Sequence, residues 1–373
     1  MNLFLSHVTS SRDRKSFAHL PFELFADLPQ WTPPLRKAEA RTLDPAHNPG
    51  LRHTDFAAWI AWHKGKAVGR MAAFINALET QKKGKTVARF GWLDFVDDPE
   101  VSHMLLNQAE TWAKARGAES LLGPVGLTNM DPAGLLVEGF SQPNYLSTLY
   151  GHPYYVRHLE QAGYAPAQTW IETDIRVPRE VPQRLEKIRQ LLSRRYQLKL
   201  HTLPERGDVR SEGRRLFELM RQSYAQLDVY VPITDAQVDY YIDQFVPLIR
   251  RDLVSAVTGP DDEIVGFGIM IPDIAPGLRK ARGRLWPLGW RHILKARKQP
   301  EVAQLMLIGV SPEWRNRGVP AFIFSYGIQS LIQAGIARVH INPMLEDNQA
   351  IHALFAPYGP EITHRRQTFQ KVL

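Results

Sequence analysis

The chain has 373 residues, 44% of them apolar, 23% charged and 10% aromatic, the composition of a folded globular protein longer than one hydrophobic core usually organises. It contains no cysteine, which excludes disulfides, thiolate nucleophiles and cysteine-ligated zinc or iron–sulfur sites together. Of its 46 basic residues, eight fall between Arg279 and Lys298 with no acid among them; the remaining 38 equal the 38 acidic residues, so the formal charge of +8 is one patch. A local patch points to contact with a phosphate, a membrane surface or an acidic carrier, and away from a surface that tracks nucleic acid.

Along the chain, the apolar stretch Leu3-Phe4-Leu5 is too short for the core of a secretory signal, and a cytoplasmic protein is expected. A capped helix is predicted after Ser10. The alternating run "AAWIAWHKGKAVGRMAAFIN" then predicts a hairpin folded at His63 to Lys66. After the strand "RFGWLDFV", Asp98 and Pro99 supply an N-cap and a first helical residue, and Val101, Leu105, Trp112 and Ala115 line one buried face. The strand "SLLGPVG", a Gly/Pro-rich stretch, the short helix "YYVRHLEQAGY" and the strand "TWIETDI" follow. Lys82 to Thr86, "KKGKT", lacks the first glycine of a phosphate loop and reads as a hairpin turn.

The second half repeats this order. A helix over about 211–227 precedes one opened by a Thr234–Gln237 capping box. The hairpin "DLVSAVTGPDDEIVGFGIMI", the strand "QLMLIGV", a helix from Pro320 to Gly335, the strand "RVHIN" and the short helix "NQAIHALFAPYG" complete the copy. The uncharged run from Gly318 to Ala337 reaches membrane-span length, but its Ser and Gln residues make it a core helix and no transmembrane segment is expected. Two units are therefore predicted, 1–178 and 179–373, with the seam at the prolines of "RVPREVP".

The segment "LMLIGVSPEWRNRGVPAFIFSYGIQSLIQAGIARVHINPMLEDNQAIHALFAPYG" carries the chemistry. A helix N-terminus offers unpaired amides and partial positive charge, and a loop wrapped around the same point makes a cradle for pyrophosphate. Here Gly318 lets the backbone approach a ligand, and Arg315 and Arg317 add charge beside it. The order of strand, Arg-Asn-Arg-Gly-Val-Pro loop, helix, strand and Asn-led helix resembles the core of the GNAT acetyltransferases over about 55 residues. That resemblance implies an α+β fold, an α/β sandwich, with two tandem GNAT units each built on a mixed, mostly antiparallel sheet flanked by helices. It implies acetyl-CoA or another acyl-CoA as substrate, no metal, and direct attack on the thioester by a primary amine. The pantetheine arm would lie along the backbone of Ile308 and Val310; Arg315, Asn316, Arg317, Gly318, Val319 and Ala321 would form the cradle, and Asn348, which opens the last helix, would also bind the cofactor.

Two positions depart from the family pattern. Pro320 removes one amide from the cradle, although proline suits the first turn of a helix. Phe355 stands where many members carry the tyrosine that returns a proton to the thiolate; Tyr358, one turn on, is the alternative catalytic acid or a packing residue. Glu346, Asp347 and His340 are candidate bases, each with an ordinary explanation as a loop acid or strand histidine. In the first half the corresponding loop is "FVDDPE", whose Asp97, Asp98 and Glu100 would repel a pyrophosphate, so that half is expected to be degenerate. Its "GPVGLTNMDPAGLLVEGF" and "HPYYVRHLEQAGY" resemble bacterial GNAT-like proteins, some of them linked to N-acylation in lipid synthesis.

The expectation is an acyl-CoA-dependent N-acyltransferase, with acetyl the family default and a longer acyl chain the variant, acting on a small-molecule or lipid amine, with Tyr230, Tyr240 and Tyr241 on the acceptor side and an acyl-carrier protein as an alternative donor. The rival class is a non-catalytic acyl-CoA-binding protein. No nucleic-acid partner is expected. The segment "GRLWPLGWRHILKARK" reads either as a solvated arm with core-facing Trp286 and Trp290, or as a contact for acyl-carrier protein, the CoA 3′-phosphate or anionic lipid.

Overall fold

The computed structural model describes residues 3–201, 203, 209–227 and 230–373. The described residues build one continuous thirteen-stranded sheet. Its strands are β1 (Leu3–His7), β2 (Thr54–His63), β3 (Lys66–Asn76), β4 (Ala88–Phe95), β5 (Ser120–Gly123), β6 (Leu135–Glu138), β7 (Ala165–Arg176), β8 (Lys199–His201), β9 (Val254–Thr258), β10 (Ile264–Pro272), β11 (Val302–Val310), β12 (Arg338–Leu345) and β13 (Glu361–Val372). The order is β1-β2-β3-β4-β5-β13-β7-β12-β11-β10-β9-β8, with β6 also on β13.

The internal repeat is visible in this order. Each half has an antiparallel hairpin, β2–β3 or β9–β10, followed by a parallel pair, β4–β5 or β11–β12. The last strands are exchanged: β7 of the first half pairs with β12, and β13 of the second half pairs with β5. The two exchanged strands pair with each other along Glu361 to Gln370, so the halves meet through backbone hydrogen bonds.

Most local expectations hold. Asp98 caps the helix Pro99–Lys114, whose Val101, Leu105 and Trp112 pack on the strands of the first half with Phe90 and Phe95, whereas Ala115, expected on the same face, is the exposed residue after the helix end. Thr234 and Gln237 form the capping box of Asp235–Phe245. The uncharged run is the helix Val319–Gln333, and among the described residues no helix is long and apolar enough to cross a membrane. That helix lies close on β10 because two strand positions lack side chains: a Cβ on Gly266 would stand 2.6 Å from Val319 Cγ1, and one on Gly268 would stand 2.9 Å from Ile323 Cγ2.

Two local expectations fail. Lys82 to Thr86 is no hairpin turn; it ends the helix Ala77–Lys83 at Gly84, which takes the left-handed φ of +67° that a helix stop requires. Trp286 and Trp290 do not face the core. They project from an arm of two helices, Ala275–Ala281 and Gly289–Lys298, inserted between β10 and β11.

A buried ionic cluster ties the exchanged strands to β12. Glu172 of β7 binds Arg366 of β13, both fully buried. His340 of β12 donates from Nδ1 to Asp174 at 2.9 Å and from Nε2 to Glu172 at 3.1 Å, and Tyr145 stacks on it with ring centres 3.5 Å apart. An imidazole facing carboxylates through both nitrogens is an imidazolium. Burial pulls its pKa down, but the two carboxylates outweigh burial and raise it.

Candidate functional site

The strands β11 and β12 pair only from Val302–Arg338 to Leu305–Ile341 and then part. β12 turns Met344 and Leu345 toward β7, while β11 continues along β10 with Met306 bulged out of register. Ser311 donates to the Val265 carbonyl, so the alternation of an antiparallel pair turns Leu307 and Gly309 toward β10 and leaves Ile308 and Val310 facing the gap. Their carbonyls are met there from the helix Val209–Tyr224: the Tyr224 hydroxyl donates to Ile308 and the Ser223 hydroxyl to Val310, each at 3.0 Å.

The basic loop closes one end of this gap. Asn316 and Gly318 both take left-handed φ, +62° and +81°, and Gly318 directly precedes the helix Val319–Gln333. The turn therefore folds toward the helix start, where Val319 is buried, Pro320 has no amide N–H, and the Ala321 amide donates to the Gly318 carbonyl at 3.0 Å. The two arginines have different surroundings. Arg315 donates to the Ser223 carbonyl at 3.0 Å, fixing the loop to the helix Val209–Tyr224, whereas exposed Arg317 lies 5.0 Å over the Trp314 ring. In the first half the same position is filled: the Asp98 carboxylate takes the Glu100 amide at 2.9 Å, and Asp97 binds Arg157 and His158.

Asn348 is the N-cap of Gln349–Phe355, its side chain accepting from Ile351 at 3.2 Å. Phe355 is buried against Phe324. Tyr358 stands edge-on to the same ring, beside Leu305 and Ile308 on a small apolar cavity of about 70 Å³; burial raises its pKa and keeps the phenol protonated. Two of the three suggested bases are engaged elsewhere, and Asp347 is exposed in the turn before Asn348. His340 is enclosed in the ionic cluster, and Glu346 is paired with Arg365.

On the other face of β11 a cavity of about 280 Å³ opens between the halves. Met306 and Leu307 wall it from the strand side, Phe217, Tyr224 and Phe245 from the helices, and Asp131 from the first half. Asp131 is the residue that reading the sequence missed. It lies within the Gly/Pro-rich stretch, accepts from the Thr128 amide at 3.0 Å, and faces the Tyr241 hydroxyl at 3.4 Å. Burial raises its pKa to about 6, against the opposing pull of the Thr128 amide and the Tyr241 hydroxyl. Of the three acceptor-side tyrosines, Tyr241 reaches this carboxylate, Tyr240 lines a second cavity of about 300 Å³ in the first half that also includes Asp131, and Tyr230 is held by Lys82 through its carbonyl.

The fold is α+β and matches that of the tandem GNAT proteins. A tandem GNAT protein of the clavulanic acid biosynthesis pathway superposes with a TM-score of 0.59 at 12% identity, covering 100% of this chain and 98% of that one. The glucosamine N-acetyltransferase region of a fungal β-N-acetylglucosaminidase also reaches 0.59 at 12% identity, over 99% of this chain and 38% of that one. In sequence, the chain is 28% identical to protein YghO of Escherichia coli, over 97% of this chain and 93% of that protein. It is 27% identical to the bacterial ceramide synthase of Caulobacter vibrioides, over 98% and 96%. No family model matches the chain.

Proposed function

We propose that this protein is an N-acyltransferase that moves a long acyl group from a thioester, acyl-CoA in the first instance, to the primary amine of a hydrophobic acceptor. The observation that carries the proposal is the gap between β11 and β12, with the basic loop at one end and a mainly apolar cavity holding one half-buried carboxylate on the other face. The phosphates would sit at Arg315 to Ala321, and the pantetheine arm along Ile308 and Val310. The amine nitrogen attacks the thioester carbonyl carbon, giving a tetrahedral oxyanion that a β11 amide facing the gap can stabilise. Asp131 takes the proton that nitrogen must lose, and collapse breaks the carbon–sulfur bond. The thiolate then recovers a proton from the neutral Tyr358 phenol or from water.

The similarity to a protein named ceramide synthase supports an acceptor of the long-chain amine class, because ceramide is an N-acylated long-chain amino alcohol. The test incubates purified protein with acetyl-CoA or palmitoyl-CoA and sphinganine, following thiol release and amide formation. Amide formed with palmitoyl-CoA and little with acetyl-CoA is expected. Preference for acetyl-CoA would overturn the chain-length assignment. Phe355 and Pro320 favour one other reading, a binding protein without turnover, and thiol release at the uncatalysed rate despite tight acyl-CoA binding would establish it.

A further inference from the structure

We propose that the arm between β10 and β11 docks the protein on an anionic membrane surface. Among the described residues, half of the exposed large apolar side chains, five of ten, fall within the ten positions from Leu285 to Leu294. Trp286 is 81% exposed, Leu288 55%, Trp290 43%, Leu285 42% and Leu294 38%. Single exposed apolar residues are ordinary, but a contiguous group held away from the core marks a contact surface.

Charge identifies the partner. No acid occurs from Ala275 to Pro300, and among the described residues Arg282, Arg284, Arg291, Lys295 and Lys298 form no ion pair with a carboxylate. In the helix Gly289–Lys298, Trp290 and Leu294 stand one turn apart on one stripe, and Arg291, Lys295 and Lys298 share the neighbouring stripe. Adjacent apolar and cationic stripes fit a bilayer boundary, where tryptophan and leucine enter the headgroup region and cations meet lipid phosphates. An acidic carrier protein would account for the cations but not for the protruding Trp286 and its neighbours.

The arm is braced from behind, so its apolar residues are presented and not merely loose. Arg279 donates to the Thr32 hydroxyl at 2.7 Å, the Arg36 amide to the Gly283 carbonyl at 3.0 Å, and Arg297 to the Ile249 carbonyl at 3.0 Å. Thr32 also lines the cavity that ends on Asp131. The docking itself does not rest on the acyl-transfer proposal.

The experiment is flotation of the full-length protein with phosphatidylcholine vesicles and with vesicles containing phosphatidylglycerol. Binding to the anionic vesicles that weakens as salt rises is expected. The triple variant Trp286→Ser, Leu288→Ser, Trp290→Ser should lose at least about tenfold in vesicle affinity, and Arg291→Glu with Lys295→Glu should abolish the preference for anionic lipid. All five positions are exposed, so an unchanged melting temperature and unchanged acylation of a water-soluble amine are expected alongside. Failure to bind anionic vesicles, binding undiminished in the triple variant, or capture of an acidic acyl-carrier protein without any vesicle binding would each overturn the proposal.

Discussion

The Tyr241 hydroxyl of the second half lies 3.4 Å from both carboxylate oxygens of Asp131 in the first, and 2.5 Å from the Thr128 hydroxyl. The halves thus share more than a sheet. One supplies a carboxylate, the other encloses it, and the β11–β12 gap lies across the same cavity.

A carboxyl raised to about 6 is ionised at neutral pH yet basic enough to receive a proton, so acyl transfer should rise as pH passes through about 6 and then level off. Asp131→Asn should lower kcat by about 10²- to 10⁴-fold and remove that rise. Stability separates this from a structural effect. The folded pKa lies above the unfolded value of 3.8, so this group's contribution to stability is present below about 3.8 and is lost as pH rises through 6. The asparagine variant should therefore melt no lower than the parent at pH 7; a large drop in melting temperature would assign Asp131 a packing role instead.

At the basic loop, Arg317 is the cation free to meet a phosphate, since Arg315 is engaged with Ser223. A hydrogen bond to a charged group contributes about 1.5–3 kcal/mol, so Arg317→Glu should weaken acyl-CoA binding by about 10- to 100-fold. A thioester of plain pantetheine, lacking the pyrophosphate, should bind parent and variant equally. Equal loss for both ligands in calorimetry would mean the loop does not hold phosphate. Gly318 is a poorer choice for this test, because any side chain there is strained at φ +81° and meets Leu192 Cδ1 at 3.3 Å.

The ionic cluster predicts acid lability. Burial pushes the Glu172 carboxyl up, but Arg366 and the hydrogen bond from His340 overcome this and hold it at about 2. With the folded pKa below the unfolded 4.5, its stabilisation is complete above 4.5 and is lost as pH falls toward 2. Burial lowers His364 to about 4, so between about 6.5 and 4 the unfolded chain takes up a proton that the native chain refuses, which also destabilises. His340, raised by its carboxylates, opposes this, since its contribution is present below 6.5 and lost above its folded pKa. Glu172→Gln, which strands the buried Arg366 charge, should cost about 3–5 kcal/mol at pH 7 in urea unfolding and flatten the fall below pH 4.5. A cost under about 1 kcal/mol would show that water reaches the pair.

Much of this architecture was legible because it is encoded locally. Capping residues at Thr234 and Asp98, the hairpin at His63 to Lys66, and the apolar periods of the repeats depend on neighbours a few positions away. The basic loop was legible for the same reason. Strand exchange was not, because "TWIETDI" closes either sheet equally well by its pattern, and only the partners of Glu172, Asp174 and Arg366 decide which. Asp131 was hidden similarly: in sequence it is one acid in a Gly/Pro-rich stretch, and the burial that raises its pKa comes from packing against distant parts of the chain, Tyr241 among them, 110 positions away. Trp286 misled because tryptophan is usually buried, and nothing within the arm shows that no core lies beneath it.

Tyr224 offers the sharpest test of how a thioester enters the gap. Its hydroxyl donates to the Ile308 carbonyl, one of the two carbonyls a pantetheine arm would use, and burial raises its pKa to about 12, so it remains a donor throughout the working pH range. If the arm takes this carbonyl, tyrosine and ligand compete, and Tyr224→Phe should tighten acyl-CoA binding by about 2- to 10-fold, the worth of one ordinary hydrogen bond. Weaker binding would mean that the Tyr224 hydroxyl contacts the thioester directly, as a donor to its carbonyl oxygen. In that case kcat should fall with affinity, because such a donor strengthens as negative charge develops on that oxygen.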